Sequence, residues 1–444
     1  MLGERHWKNT ILAGLANYID AGSIVAGSGA LALWAEQFHL SNRFIGLIAA
    51  FSANAISAGV GALIGGRLCD KIGRKKIYQY DMLFYTFGML WLVFASQPWM
   101  IVLGFVIVGL AVGADIPASW SLIAEMAPEG HRGKHSGMAQ VLWYLGPVVV
   151  LLMFLAMAPL GVLGARIVFV HLALVALALT LLRSRMQESI RWQTAAHLDH
   201  ATTGASAAMA HSPTGLPPLQ ELFTPRHFKA IVFLASMYGL WNLWAGTNGF
   251  FFPYILRTVG SQSQGASVTL QAAGFCISML SIGVVFMQLS DRVNQRLLFL
   301  AAALIQIVGM SLLTLFPLTL PLAMLHIFLM QFGGGFGAQS FFQLWSAELF
   351  PTMLRATAQG LTFAIVRISL GLWSFFVPTL TNTGFTALAW ILTGFLVASA
   401  LVGWLWAPRH EGKSLEQIEC ERAQINKPTN SLSRIERRSA RSQF

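Results

Sequence analysis

The chain has 444 residues, 55% of them hydrophobic and only 11% charged, where an ordinary soluble domain carries about 25% charged residues. So few charged side chains cannot coat a soluble fold, so the composition excludes a soluble globular protein and requires lipid as the outer solvent. The formal net charge of +11 would suit nucleic acid, but its distribution along the chain excludes that reading.

Apolar stretches of roughly 20 residues, long enough for a ~30 Å hydrocarbon core, predict an all-α membrane protein of twelve transmembrane helices. They fall at about 9–33, 44–66, 77–96, 98–124, 137–158, 162–182, 228–256, 266–289, 297–316, 320–347, 358–380 and 384–406. The first is too long for a signal-peptide core and no small-residue cleavage site interrupts it, so it reads as a span. Twelve is even, which puts both termini on one side. The 29 Lys and Arg residues fall on that side except Arg43, Arg166 and Arg257, toward the other face, and Arg367, inside a span. By the positive-inside rule both termini are expected in the cytoplasm, and the chain is expected in the plasma or bacterial inner membrane. The basic excess is therefore topology, with anionic lipid a secondary partner for the tail over 407–444.

Residues 183–227 form the long polar interruption. Within it, TAAHLDHATTGASAAMAHSPTGLPP has no helical apolar stripe and predicts a flexible cytoplasmic linker. It separates a six-helix bundle over 1–182 from another over 228–406. His197, His200 and His211 in the linker have no common metal-site spacing. Cys69, Cys276 and Cys420 form neither a disulfide framework nor a metal pair. No cofactor is expected, and one chain is expected to suffice.

The two halves repeat. AEMAPEGHRGKHSG after the fourth span and AELFPTMLRATAQG after the tenth share Ala-Glu-x-x-Pro-x-x-x-Arg. This sets Glu125 against Glu348, Pro128 against Pro351 and Arg132 against Arg355. GRLCDKIGRKK and QLSDRVNQR set Asp70-Lys71 against Asp291-Arg292. Two six-helix repeats around a central site are a recurrent transporter design.

Gly66-x-x-x-Asp70-Lys71-x-Gly73-Arg74-Lys75-Lys76 resembles the signature of the major facilitator superfamily between its second and third helices. More narrowly, the chain resembles the sugar porters, whose members carry hexoses, pentoses and cyclic polyols such as inositol. Gln187-Glu188-Ser189-Ile190-Arg191-Trp192 is similar to their P-E-S-P-R-W, with both prolines replaced. Pro408-Arg409-His410-Glu411-Gly412-Lys413-Ser414-Leu415-Glu416 is similar to P-E-T-K-G-x-x-L-E, and Gly246-Thr247-Asn248 to G-I-N.

The repeated charges suit a gate at the cytoplasmic end. Asp70 or Asp291 at a span end is expected to pair with Arg of a neighbouring loop. Glu125 and Glu348 are expected to accept from Arg74, Arg132 or Arg355. Each such surface pair is worth about 0–1 kcal/mol, so several together bias a closed state that still breaks in each cycle. The bland alternative is topology charges and helix caps.

Two carboxylates lie deep in spans. At 1.5 Å per residue, Asp20 is roughly 20 Å beyond Trp7 and Asp115 roughly 15 Å before Glu125. An unpaired carboxylate there costs at least ~2.5–3.5 kcal/mol, so the default is function facing a cavity. Asp81, about one turn inside its span, is assigned to the gate. Tyr18-Ile19-Asp20-Ala21-Gly22 is similar to the G-[YF]-D-x-G of proton-coupled sugar porters, and the resemblance implies that Asp20 takes the coupling proton. The family's partner arginine is replaced here by Phe105, which makes Asp115 a candidate partner or second proton site. Arg367 is expected to balance Asp20 or Asp115, or to bind an anionic substrate.

A polyhydroxylated solute needs amides for paired hydrogen bonds and aromatics for its apolar face. The resemblance places Gln140, Asn242 and Asn248 in such a site, with Gln343 at the family's tenth-helix tryptophan and Trp120 as its counterpart. Trp345, Trp241 and Gln339 are further candidates. Gly109 and Gly113 read as close helix packing, and Gly333, Gly334, Gly335 and Gly337 are no phosphate loop. No nucleophile–base arrangement is present, so an enzyme is not expected. The leading reading is proton-coupled uptake of a sugar or cyclic polyol, inositol first. A carrier of a small organic acid anion is the alternative, ahead of an exporter or a non-transporting nutrient sensor.

Overall fold

A computed structural model describes residues 2–52, 55–184, 186–196, 219–260, 264–317, 319–374 and 385–424, with side chains described except at 2–5, 32, 42, 248–260, 264–267, 385 and 422–424. Most of the linker and of the basic tail, with His197, His200 and His211, lie outside the described residues.

The described residues form helices and no strand. In chain order they are α1 (Leu2–Gln37), α2 (Asn42–Ala50), α3 (Ile56–Ile72), α4 (Arg74–Val93), α5 (Pro98–Met126), α6 (Arg132–Met157) and α7 (Val162–Arg183). Then come α8 (Pro225–Gly260), α9 (Gln264–Ser281, running through a π turn at Ile282–Phe286), α10 (Gln295–Leu315), α11 (Leu320–Gly335), α12 (Ala338–Glu348), α13 (Thr352–Ser374), α14 (Phe385–Trp406) and α15 (Leu415–Gln424). Local signals set several ends. The Ser41 hydroxyl accepts from the Phe44 amide to start α2, Asn294 accepts from the Arg296 and Leu297 amides to start α10, and Pro98 opens α5.

Among the described residues, seven segments are long and apolar enough by length and composition to cross a membrane: Pro98–Met126, Arg132–Leu160, Val162–Arg183, Val268–Leu289, Gln295–Leu315, Leu320–Glu348 and Thr386–Trp406. The outer surface is apolar, with Ile64, Phe87, Leu174, Leu181, Val308 and Leu401 exposed. That surface suits lipid.

Helices α1, α5, α6 and α7 pack together, as do α4 with α5 and α7, and α3 with α5. Among the later helices, α10 packs on α11 and α14, α14 on α8, and α8 on α13. The two sets meet chiefly along α3–α13 and α6–α9. Close approach there demands glycine: a Cβ on Gly360 would collide with the Ala62 carbonyl, and one on Gly66 with the Ala356 carbonyl.

The stretches expected at 44–66 and 320–347 are each divided, the first between α2 and α3, the second between α11 and α12. In the second, the Gly333–Gly337 run breaks the helix. Carbonyls freed by such a break need other donors inside a membrane. Gln306 reaches Met330 O at 3.4 Å, Ser278 Gln331 O at 3.0 Å, Ser281 Phe332 O at 2.6 Å and Ser340 Gly335 O at 2.7 Å. The break is thereby satisfied internally, and it reorients α12 independently of α11.

Candidate functional site

At one end of the molecule the repeated charges meet. Asp70 closes α3, and its carboxylate accepts from the amide and hydroxyl of Thr357 in α13, at 2.7 and 2.6 Å. Arg74, in the first turn of α4, pairs with Asp70 at 3.1 Å and with Glu125 at 3.0 Å. Glu125 also takes Arg355 of α13 at 2.9 Å. The second repeat mirrors this. Asp291 accepts from the Gly133 and Lys134 amides in the first turn of α6, at 2.8 and 3.0 Å. Glu348 takes Arg132 of α6 at 2.8 Å and His410 at 3.3 Å. Asp291 thus caps the start of α6 in the opposite repeat, where the helix dipole favours an anion, while Asp70 grips α13 in its second turn. The expectation that Asp291 pairs with an arginine gives way to this cap. Burial pushes the Asp291 carboxyl above its ordinary range, while the amides of Gly133 and Lys134 pull the other way.

The flanking motifs sit against this layer. Glu188 accepts from the Lys75 amide at 3.0 Å, and Trp192 donates to Asp70 O at 3.0 Å. Gly73 sits at φ +101°, a conformation that suits glycine, and a Cβ there would meet Glu188. From the tail side, Glu419 pairs with Arg355 and Glu416 with Arg191, both at 3.2 Å.

Deeper in the molecule, α12 turns Gln339, Phe342 and Gln343, spaced i, i+3 and i+4, toward the first repeat. Gln339 donates to Gln140 at 3.0 Å, and Gln140 donates in turn to Gln343. All three amides are buried. Phe342 stacks on Tyr238, with ring centroids 4.1 Å apart, and meets Trp120 edge-on at 5.7 Å. Trp120 in turn meets Phe363 at 6.0 Å, and the Arg367 guanidinium lies 4.6 Å from the Phe363 ring. Asn242 is bonded to Tyr238. Trp241 donates to Gln306 at 3.1 Å. An amide triangle beside a row of aromatics is the chemistry a polyol requires: paired hydrogen bonds to hydroxyls and flat apolar faces for ring C–H groups.

Between this group and the charged end runs a second polar contact across the repeats: Ser121 donates to Gln359 at 2.7 Å, and Gln359 to Ser346 at 3.1 Å. Trp345 faces away from the site, buried against Phe341 and bonded to Gln295 at 2.6 Å. The candidate Asn248 lies on α8, and its side chain is outside those described.

The deep carboxylates separate. Asp20 is buried in α1, receives the Trp143 indole N–H at 3.3 Å, and interacts electrostatically with Arg367. Arg367 of the second repeat thus acts on Asp20 at electrostatic range. Asp115 instead pairs with Arg183 at 3.2 Å, and Asp81 lies 3.9 Å from the same nitrogen. Asp81 therefore belongs with Asp115 rather than with the gate, and Arg367 is not alone as a buried cation, because Arg183 is only 1% exposed. Sequence reasoning placed Arg183 in the linker, since it follows the last apolar residue of its span. The remaining hint was two acids within spans of the first half and no arginine at Phe105 to balance them. Tyr238, Phe342 and Phe363 were missed because aromatics abound throughout the chain. No group of three or more His, Cys, Asp and Glu side chains able to hold a metal occurs among the described residues.

Broken and glycine-packed helices, lipid-suited surfaces and a repeated ion-pair layer between two sets of helices define a multi-pass membrane carrier. The chain belongs to the Major Facilitator Superfamily, whose family model matches residues 10–374. It is similar to the minor myo-inositol transporter IolF of Bacillus subtilis (strain 168), with 45% identity over 430 residues, 96% of this chain and 97% of that protein. Its fold matches the proton:xylose symporter XylE bound to 6-bromo-6-deoxy-D-glucose with a TM-score of 0.79 at 18% identity, covering 94% of this chain and 99% of that one. Against the inward open conformation of the xylose transporter XylE from E. coli the TM-score is 0.65 at 20% identity, over 94% and 99% of the chains.

Proposed function

We propose that this protein imports a small polyhydroxylated solute, a sugar or a cyclic polyol such as inositol, together with a proton by alternating access. The 45% identity to a myo-inositol transporter across 96% of the chain carries the reading. In it, twelve spans form two six-helix bundles over 1–182 and 228–406, joined by a linker over 183–227. Both termini are cytoplasmic, with the basic tail over 407–444, and one chain suffices.

The charged end is the cytoplasmic gate. Asp70, Arg74, Glu125 and Arg355 on one side and Asp291, Arg132 and Glu348 on the other hold it shut, so the site is presented to the outside. Gln140, Gln343, Asn242, Asn248 and Trp120 bind the solute, with Gln339 beside them. Arg367 balances the Asp20 carboxylate near them. Asp20 carries the coupling proton: once neutral, it no longer holds Arg367, and the two bundles are released to rock.

Uptake into proteoliposomes tests this, with labelled inositol, sugars and small carboxylates offered under an imposed pH gradient with and without an uncoupler. Inositol or a sugar is expected to accumulate and the uncoupler to stop it. Asp20→Asn should abolish accumulation while equilibrium exchange survives. Gln140→Ala should weaken solute affinity about tenfold, the worth of one lost hydrogen bond of ~1.4 kcal/mol. Accumulation of carboxylates in place of polyols would overturn the substrate class and return Arg367 to the role of anion ligand.

A further inference from the structure

Three ionisable side chains from three helices meet where the proposed transport cycle uses none of them. Asp81 lies two turns into α4, Asp115 midway along α5 and Arg183 at the last residue of α7. They are 6%, 3% and 1% exposed. Arg183 Nη1 is 3.2 Å from Asp115 Oδ1 and 3.9 Å from Asp81 Oδ1, a hydrogen bond to the first and an ion-pair distance to the second. The guanidinium is otherwise held by Tyr78 O at 3.2 Å, by Leu12 O at 3.4 Å and by the Tyr78 ring 3.5 Å away.

The charges do not balance as drawn. One guanidinium faces two carboxyl groups, and an excess charge in a dry helical interior neutralises in preference to staying ionised. Asp115 takes the hydrogen bond from Arg183. Among the described residues, no side-chain donor hydrogen-bonds either oxygen of Asp81. Both carboxyl groups nevertheless face the same Arg183 nitrogen, at 3.2 and 3.9 Å, which brings them side by side. Two acceptors so placed repel unless a proton lies between them. With one proton the cluster is neutral, and each carboxyl group is satisfied.

The surrounding groups do not change that count. Cys69 and Asp70 of α3, and Tyr78 and Arg74 of α4, are the other titratable groups nearby, together with Asp20 of α1 acting from further off. Asp70 and Arg74 are paired with each other, Cys69 and Tyr78 are neutral as thiol and phenol, and Asp20 has Arg367.

We propose that Asp81 and Asp115 form a proton-binding site, separate from Asp20, in which one proton shared between the two carboxyl groups is held beside Arg183. Asp81 is the carboxylic acid and Asp115 the carboxylate that accepts from it. The site lies behind Asp70 and Arg74, so its neutrality supports the buried packing of the charged end. The proposal does not depend on which solute is carried.

Infrared spectroscopy of the purified full-length protein in lipid reads this directly, because a protonated carboxyl group has its own C=O stretch. Asp20→Asn protein is the parent, which removes the proton assigned to coupling. At neutral pH the parent should retain a carboxylic-acid band that shifts in heavy water. Adding Asp81→Asn should abolish it. Adding Asp115→Asn should abolish it too, because the remaining Asp81 then ionises against Arg183. If Asp81→Asn does not fold, the Asp115→Asn protein and the heavy-water titration of the parent still decide. Absence of the band in the parent, or its survival in both double variants, overturns the proposal. Neither result touches the transport reading, which the uptake assay judges separately.

Discussion

The two corners of the charged layer descend from one repeated motif yet are built differently. In the first, Glu125 receives two arginines, Arg74 and Arg355, and Asp70 pairs with Arg74 as well as accepting from Thr357 of α13. In the second, the position matching Arg74 is Gln295. Arg74 donates to Cys69 O at 3.2 Å, and Gln295 donates to Ser290 O at the same distance, so the place is kept while the charge is lost. His410 fills the gap at Glu348, and among the described residues Asp291 accepts from two backbone amides in place of an arginine. A repeat therefore keeps backbone geometry, each aspartate's bond to an amide of the opposite repeat and the paired glutamates, more strictly than it keeps charge. On the proposed gate, the first corner is expected to be the stronger latch and the second the more readily released.

Cys69, buried in the first corner, is a built-in reporter once the exposed Cys276 and Cys420 are replaced by serine. Its alkylation rate reads how often the charged end opens. Glu125→Gln should have the largest effect. It takes the shared carboxylate from two buried arginines, leaving Arg74 with Asp70 and Arg355 with the half-exposed Glu419, at a cost of about 3–5 kcal/mol to the closed form, so alkylation should rise at least roughly a hundredfold. Glu348→Gln frees one arginine and a histidine. A cost of about 1.5–3 kcal/mol predicts a rise of roughly ten- to a hundredfold, and an effect equal to that of Glu125→Gln would break the comparison.

His410→Gln removes one partner of Glu348 and leaves Arg132. A cost of about 0.5–1.5 kcal/mol predicts a rise of a few-fold to about tenfold. The smallest effect belongs to Asp291, and it depends on pH. Burial raises its carboxyl pKa in the closed form, above the ~4 of a solvated aspartate. The closed form then binds the proton more tightly, so its advantage is fullest below ~4 and lost as pH rises through the raised value. Alkylation of Cys69 should accordingly slow as pH falls through that window, and Asp291→Asn should flatten the slope. A steeper slope in the variant would assign the pH response elsewhere.

Much of this molecule is legible without coordinates. The scarcity of charge and the ~20-residue apolar stretches are local properties, and lipid imposes them whatever the helices later touch. The repeat of Ala-Glu-x-x-Pro-x-x-x-Arg and of the paired aspartates is also local, so Asp70, Glu125, Arg132, Asp291, Glu348 and Arg355 could be singled out in advance, with Arg74 from the Gly66–Lys76 signature. What spacing could not provide is a partner. Asp291 caps α6 across 158 residues, and Gln140 meets Gln339 across 199. No periodicity encodes such distances.

Asp115 shows the limit most clearly. Read along the chain, it stood beside Asp20 as one of two deep acids. In three dimensions it belongs to Arg183 and Asp81, because α4, α5 and α7 pack together and turn those three side chains inward. Composition and pattern determine that a segment is a helix and that its surroundings are apolar, since both follow from each residue's own transfer energy. Which buried charge answers which is decided only by packing. Coulombic partners within 4 Å are set by helix rotation and crossing, and those depend on glycine contacts such as Gly66 on Ala356 and Gly360 on Ala62, made between residues nearly 300 positions apart.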